Sequence, residues 1–279
     1  MALAGLPFRK MNGVGNDFVI IDLRGVKATI DEESARRIAD RKTGIGCDQL
    51  ITIENRGGTF MGVWNADGSE AGHCGNAARC VADILINETS KSPVRFANPS
   101  GVTTAWRHDD GSISVDMGAP RLDWRDIPLA EETQDTRFVD VKMGPIDKPV
   151  LWGPSAVSMG NPHCVFFVAD VDAYALDRFG PMLENHPMFP DRANVSLAQV
   201  LSRDRIRARV WERGVGITRA CGTAACAILV SAVRRRLTDR RAIVELDGGP
   251  LCVEWREDDH VIMTGAIEYE FEGVLPEGL

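Results

Sequence analysis

The chain has 279 residues, 44% apolar and 26% charged, which is enough for two cores and excludes a mainly disordered or fibrous protein. Lys and Arg total 32 against 40 Asp and Glu, a formal charge of −8 that disfavours nucleic acid as the main partner. The longest candidate membrane stretch, residues 226–233 (CAILVSAV), falls far below the ~20 residues a bilayer span needs, so no membrane partner is expected.

The first ten residues carry their basic side chains after a short apolar stretch, the reverse of a secretory signal. Seven cysteines make an odd number in a chain too large to need disulfide staples, so the expectation is a cytoplasmic protein with reduced thiols.

In chain order, residues 18–23 (FVIIDL) read as a short apolar strand. A helix is expected over 31–41, with Thr29 and Glu32 spaced as a capping box. Residues 48–54 and 60–64 read as strands. A helix rich in Ala, Leu, Ile and Val nearly all round then starts at Cys74 and runs to about Asn87, so it should be buried. Pro and Gly cluster around 118–128 and 144–155, where a domain crossover is expected. Strands follow at 164–168, 194–201 and 206–211. Strict alternation in the last puts Arg205, Arg207 and Arg209 on one face, read as a solvated face. A second apolar helix runs from Cys221 to about Leu237, and Arg234-Arg235-Arg236 fall at its C-terminal end, where positive charge suits the macrodipole.

The chain contains itself twice. Gly62-Val63-Trp64-Asn65 leads into Cys74-Gly75-Asn76-Ala77-Ala78, and Arg209-Val210-Trp211-Glu212 leads into Cys221-Gly222-Thr223-Ala224-Ala225. The two Trp and the two Cys keep the same spacing without a gap. Gly118-Ala119 matches Gly265-Ala266 at that spacing, and Gly15-Asn16 matches Gly160-Asn161 at nearly the same one. The pattern implies a duplicated α/β unit of roughly half the chain, too long a period for a solenoid. Because the second unit should finish near 265, the tail is expected to return to the first.

The duplication places one cysteine at the N-terminus of each central helix. The unpaired N–H groups and the dipole there favour a thiolate by up to ~2 kcal/mol, enough to lower a thiol pKa from ~8.5 by about 1.5. The Gly after each Cys lets backbone N–H groups approach a bound carboxylate. Two such units facing each other would present two thiols to opposite sides of one carbon bearing an acidic hydrogen, one removing a proton and the other delivering one.

Other chemistries find less support. Zinc is not expected, because no C-x2-C occurs and the spacings Cys74/Cys80 and Cys221/Cys226 are wrong for it. Cys47, Cys80, Cys164, Cys226 and Cys252 read as packing residues. Gly13-Val14-Gly15-Asn16-Asp17-Phe18 is a fragment of a dinucleotide pattern that ends in Phe where the third Gly belongs. All six lysines lie outside the Cys blocks, which weakens a pyridoxal reading.

The motifs taken together are Lys10-Met11-x-Gly13-x-Gly15-Asn16-Asp17-Phe18, Gly44-Ile45-Gly46-x-Asp48-Gln49, Asn65-Ala66-Asp67-Gly68-Ser69-Glu70, Cys74-Gly75-Asn76, Gly160-Asn161-Pro162-His163, Asn194-Val195, Glu212-Arg213-Gly214-x-Gly216-x-Thr218 and Ala220-Cys221-Gly222-Thr223. In this order they resemble the diaminopimelate epimerase family over most of the chain. The resemblance implies an α/β (α+β) fold of two pseudo-symmetric domains, each a mostly antiparallel, mixed sheet wrapped around a central helix, with the site in the cleft between them. The boundaries expected are 1–118 with 266–279 returning, and 119–265.

By the same resemblance the activity is cofactor-independent epimerisation of LL- to meso-diaminopimelate, a step of lysine and peptidoglycan precursor biosynthesis. The substrate is the only small-molecule partner expected, and no metal is expected. A homodimer is implied by the family alone. Cys74 and Cys221 would be the paired acid and base, the former the donor and the latter the acceptor in the family's convention. Gly75, Asn76, Gly222 and Thr223 would offer groups to the carboxylate at the reacting centre. Asn16, Gln49, Asn65, Asn161, Asn194 and Arg213 would line the pocket, with Arg213 able to bind a carboxylate bidentately. His163 and Glu212 would orient the substrate amino group and tune the thiols, whereas His73 reads as surface or packing.

The sequence departs from many family members in carrying Ala77 and Ala224 in place of Gly, and Ile217 in place of Glu. Ala is the better helix former, so the first two should be harmless; the third removes one polar contact near the second cysteine. Two rival readings are a thiol–disulfide oxidoreductase using Cys74 and Cys221, for which C-x-x-C is missing, and a catalytically silent amino-acid-binding protein. An oxidised, substrate-free form that crosslinks the pair would be inactive.

Overall fold

The computed structural model describes residues 3–72, 74–145 and 147–278. His73 therefore lies outside the described residues. The chain divides into two compact units, Met1–Val115 with Thr264–Leu279, and Asp116–Met263.

The first unit begins with the hairpin β1 (Pro7–Gly13) and β2 (Asn16–Asp22), joined through Val14 and Gly15, both at positive φ as a two-residue type I′ turn requires. Helix α1 (Glu32–Ala39) carries the chain over to β3 (Gln49–Asn55), which pairs parallel with β2. A parallel pair cannot be closed by a tight turn, so a crossover element is obligatory. The α1 cap differs from expectation. Asp31 accepts from the Ser34 amide at 2.8 Å, so a carboxylate two residues later does what the Thr29 hydroxyl was expected to do. Strand β4 (Thr59–Asn65) pairs antiparallel with β3, and α2 (Gly75–Thr89) is the second crossover, leading to β5 (Val94–Asn98) parallel to β4. Strands β6 (Gly101–Arg107) and β7 (Ile113–Asp116) continue antiparallel.

Within the second unit, β8 (Lys142–Met143) and β9 (Leu151–Trp152) form a small ladder of their own. The main sheet then repeats the first unit's order of pairings. Strand β10 (Ser155–Ser158) is antiparallel to β11 (Pro162–Phe167), and α3 (Leu176–Glu184) crosses to β12 (Asn194–Ser202), parallel to β11. Strand β13 (Arg205–Glu212) is antiparallel to β12 and carries the short β14 (Gly216–Thr218) on its end. Helix α4 (Gly222–Arg234) crosses to β15 (Arg241–Leu246), parallel to β13, and β16 (Gly249–Trp255) is antiparallel to that. After β17 (Val261–Gly265), the last strand β18 (Glu268–Val274) pairs antiparallel with β1 and so returns to the first unit. This is the mixed, sheet-dominated α+β architecture that the family resemblance implies, and its repeated order of pairings agrees with the duplication.

Helices α2 and α4 are buried along almost their whole length, because Ala, Cys, Val, Ile and Leu occupy every face. Helix α4 packs on β10, β11, β12, β15 and β16. It ends sooner than the sequence suggested, since Arg236 has a positive φ. The arginine run does not neutralise its own helix end. Arg234 donates to Thr136 Oγ1 at 3.0 Å, and Arg235 reaches the Arg137 carbonyl at 2.6 Å and Ser155 Oγ at 2.8 Å, tying the preceding loops to the helix. The arginine face of β13 is matched by carboxylates: Arg205 meets Glu245, Arg207 meets Asp247, and Arg209 lies 3.6 Å from Asp172. Among the described residues no helix is long and apolar enough to cross a membrane.

Gly180 of α3 lies under the Trp211 indole, and a Cβ at that position would fall 2.3 Å from Trp211 Cδ2. The ring cannot retreat freely because its Nε1 is hydrogen-bonded to Glu184 at 2.7 Å. Gly180→Ala is therefore expected to lower stability by about 1–2 kcal/mol, the gain in helix propensity being outweighed by overpacking. The urea midpoint measures it, and an unchanged midpoint refutes the contact.

Candidate active site

Each cysteine singled out above is the N-cap residue of a central helix, Cys74 for α2 and Cys221 for α4, both with extended backbone (φ −138° and −134°). The first N–H groups of a helix have no intrahelical partner, so Gly75-Asn76 and Gly222-Thr223 present donors at these two points.

In the first unit, the β1–β2 hairpin brings Asn16 to the start of α2. The Cys74 Sγ lies 3.8 Å from Asn16 Oδ1 and accepts from the Ala77 amide at 3.5 Å, so Ala77 serves the cap through its backbone. The Asn76 amide nitrogen reaches the same Asn16 oxygen at 3.4 Å, and Arg79 donates to Asn76 Oδ1 at 3.0 Å. Close approach depends on Gly13, where a Cβ would stand 3.0 Å from the Asn76 carbonyl oxygen. Asn16 is held from behind, its Nδ2 donating to Asp48 at 2.9 Å. Asp48 is in turn bound by Arg41 at 2.7 Å, and Arg41 also grips Asp17, which pairs with the buried Lys10. Burial pushes Asp17 up, but the hydrogen bonds from Arg41 and Lys10 outweigh it and hold the carboxyl well below its usual range. Cross-strand neighbours Gln49 and Asn65 are joined by a 3.0 Å hydrogen bond, and Asn65 also donates to Ser69 at 3.1 Å. Asn16 and Asn76 thus gather around Cys74, while Gln49 and Asn65 form an adjoining amide pair at the ends of β3 and β4.

In the second unit the polar set is charged as well as amide-bearing. His163 is fully buried on β11, opposite Asn194 of β12. Its Nε2 lies 2.9 Å from Asn161 Oδ1, and Asn161 Nδ2 reaches Thr223 Oγ1 at 3.4 Å. The Thr223 hydroxyl is 3.5 Å from Cys221 Sγ. With His163 Nε2 donating to Asn161 and Asn161 Nδ2 donating to Thr223, the Thr223 hydroxyl proton is left for the sulfur. Burial lowers the His163 pKa to about 3, helped by the positive charge of Arg213, so the imidazole is neutral and not a counter-charge for the thiol.

The end of β13 turns through Glu212-Arg213-Gly214 into β14. Thr218 Oγ1 donates to Glu212, which stands opposite Gly216 in that hairpin. Asn194 orients the turn by accepting from the Arg213 amide at 3.0 Å, while its own Nδ2 donates to the Pro162 carbonyl at 3.1 Å. The Arg213 guanidinium donates to the Asp191 carbonyl at 2.8 Å.

The helix-start argument for a lowered thiol pKa fails at Cys221. The residue is only 7% exposed, and burial pushes its thiol pKa well up; the Glu212 carboxylate adds repulsion, and the Thr223 and Ala224 hydrogen bonds compensate only in part. Cys221 is accordingly held protonated. The packing reading of the remaining cysteines agrees with burial at Cys47, Cys80, Cys164 and Cys226; it pushes Cys47 and Cys80 up to about 12 and Cys164 higher still. Cys252 is half-buried and accepts from Arg241 at 3.4 Å.

Thr218, Asp48 and Arg41 were not singled out for the site, although Thr218 and Asp48 stood inside quoted motifs. Their signal was the spacing Glu212-x5-Thr218 across a Gly-rich hairpin, and an Asp placed just before a strand that begins with a site residue. Ile217, where many family members have Glu, is 41% exposed and faces outward from β14.

The family model for diaminopimelate epimerase matches residues 8–122 and 155–270. The diaminopimelate epimerase of Brucella anthropi is 53% identical over 96% of this chain and 91% of its own. That of Afipia carboxidovorans is 50% identical over 99% of this chain and 97% of its own. Among solved structures, a phenazine biosynthesis protein of the PhzF family from Bacillus anthracis covers 97% of this chain and 98% of its own, with a TM-score of 0.67 at 15% identity. A hydroxyproline epimerase from Agrobacterium vitis covers 97% of this chain and 90% of its own, with a TM-score of 0.66 at 13% identity. These two share the fold. By the family match and the near-full-length identity, the chain belongs to the diaminopimelate epimerase family.

Proposed function

We propose that this protein interconverts LL- and meso-diaminopimelate by moving the α-proton between two cysteine thiols, without a cofactor. The observation that carries the reading is the twin arrangement, in which Cys74 and Cys221 each cap a buried helix beside a polar cluster, in a chain of this family. Reaction at the α-carbon needs one sulfur as base and the other as acid, and reversal of direction exchanges the roles. Cys221 enters as the acid, the reverse of the family's donor and acceptor labels, because burial and Glu212 hold its proton. Glu212 is suited to the substrate ammonium, and an ammonium there would cancel its repulsion of a Cys221 thiolate, allowing that sulfur to act as base in the return step. Arg213 offers a fork for a carboxylate. The helix-start amides after each cysteine would receive the negative charge that develops on the reacting carboxylate. Function in the cytoplasm, where thiols stay reduced, is part of the proposal.

Incubation of reduced protein with LL-diaminopimelate in D2O tests it. Deuterium at the α-carbon together with meso product is expected. Binding without exchange would identify a silent receptor, and dithiol-dependent turnover of a disulfide without exchange would identify a redox enzyme; either result overturns the proposal.

A further inference from the structure

Glu184 is the last residue of α3 and is 5% exposed, an expensive place for a carboxylate unless its oxygens are satisfied. Both are. Oε1 accepts from the Gly214 amide at 2.9 Å and from Arg192 at 3.0 Å, and Oε2 accepts from Trp211 Nε1 at 2.7 Å. Its backbone carbonyl accepts from the Ala193 amide at 3.1 Å. Trp211 and Gly214 are the residues on either side of Glu212-Arg213, so one buried carboxylate pins both ends of the segment that carries those two side chains. The Ala193 bond fixes the start of β12, where Asn194 accepts from the Arg213 amide.

We propose that Glu184 is a positioning residue for substrate binding, holding Glu212 and Arg213 in the orientation that receives the ammonium and carboxylate of the amino acid. The proposal rests on the epimerase reading. Glu184 touches neither cysteine nor substrate in this account; it acts through the geometry of the 211–214 turn. Three charge-assisted or buried bonds on one group make the turn rigid before substrate arrives, and preorganisation of this kind is felt mainly in binding.

Glu184→Gln keeps an acceptor for Trp211 but loses the charge shared by Arg192 and Gly214, and Glu184→Ala loses every bond. Steady-state kinetics should give a KM raised about tenfold in the first and further in the second, with kcat within about threefold of wild type. In the same proteins, hydrogen exchange of the Gly214 amide should accelerate about tenfold or more while amides of α4 keep their protection. Trp211→Phe, which removes a single bond, should show a smaller rise in KM and guards against misfolding of the alanine variant. A KM unchanged in Glu184→Gln, or a Gly214 amide that exchanges no faster, overturns the proposal. Wild-type protein inactive on LL-diaminopimelate would sink the epimerase reading and the substrate role with it, whereas the Gly214 exchange separately decides whether Glu184 holds the turn.

Discussion

Replacing either Cys74 or Cys221 with alanine is expected to lower kcat/KM for LL-diaminopimelate by about 10³-fold or more, the range associated with loss of a positioned acid or base. Neither change should unfold the protein. The sulfurs make long contacts at the starts of their helices, Cys74 to the Ala77 amide at 3.5 Å and Cys221 to Thr223 Oγ1 at 3.5 Å, each worth at most about 1 kcal/mol as a cap. Far-UV circular dichroism and urea midpoints close to wild type would therefore accompany the kinetic loss. Retention of more than about a tenth of wild-type turnover by either variant, a loss of under about 1.4 kcal/mol of transition-state stabilisation, would remove that thiol from the proposed chemistry.

The two cysteines stand in equivalent places of a duplicated fold, but the strand ends at corresponding positions of the two units carry different side chains. At the end of β4 the first unit has Asn65, bonded to Gln49; at the corresponding end of β13 the second has Glu212, bonded to Thr218. The Glu at this position of the second copy puts a carboxylate near Cys221, and this helps hold that thiol protonated. Duplication supplies the helix-cap position twice, and divergence at one strand position sets a carboxylate near the second cysteine.

Much of this arrangement was legible in the sequence because the informative signals are local. The alternation in Arg205-Ile206-Arg207-Ala208-Arg209-Val210 fixes which face of β13 is buried, and the apolar runs at 18–23 and 164–168 mark β2 and β11 to within two residues at either end. The Cys-Gly starts of α2 and α4 follow from a small residue after an extended N-cap and an apolar run. What escaped depends on contacts distant in sequence. Asp31 displaced Thr29 as the α1 cap because the choice rests on where the preceding loop runs. Arg234 and Arg235 were drawn away from their helix terminus by carbonyl and hydroxyl oxygens of the 136–155 loops. The raised Cys221 pKa is the clearest case. A helix dipole is visible in the sequence, whereas burial and an adjacent Glu212 appear only when β13 is laid beside the cap.

His163 should make the protein acid-sensitive in a defined window. Burial, reinforced by Arg213, lowers its pKa from 6.5 to about 3, and its Nδ1 has no hydrogen-bond partner among the described residues, so a proton added there would be buried without an acceptor. Between those two values the unfolded chain binds a proton that the folded protein refuses, so stability is fully present above pH 6.5 and drains away as the pH falls toward 3. From pH 7 to pH 4 this one group should cost about 3 kcal/mol, provided the fold persists over that range. His163→Gln keeps an amide N–H for Asn161 and has nothing to titrate, so its urea-derived stability should fall by about 3 kcal/mol less over the same interval. Above pH 6.5 the two proteins should respond to pH alike. Equal acid losses in both would mean that the imidazole accepts its proton in place, and that the His163–Asn161–Thr223 chain does not keep the ring neutral.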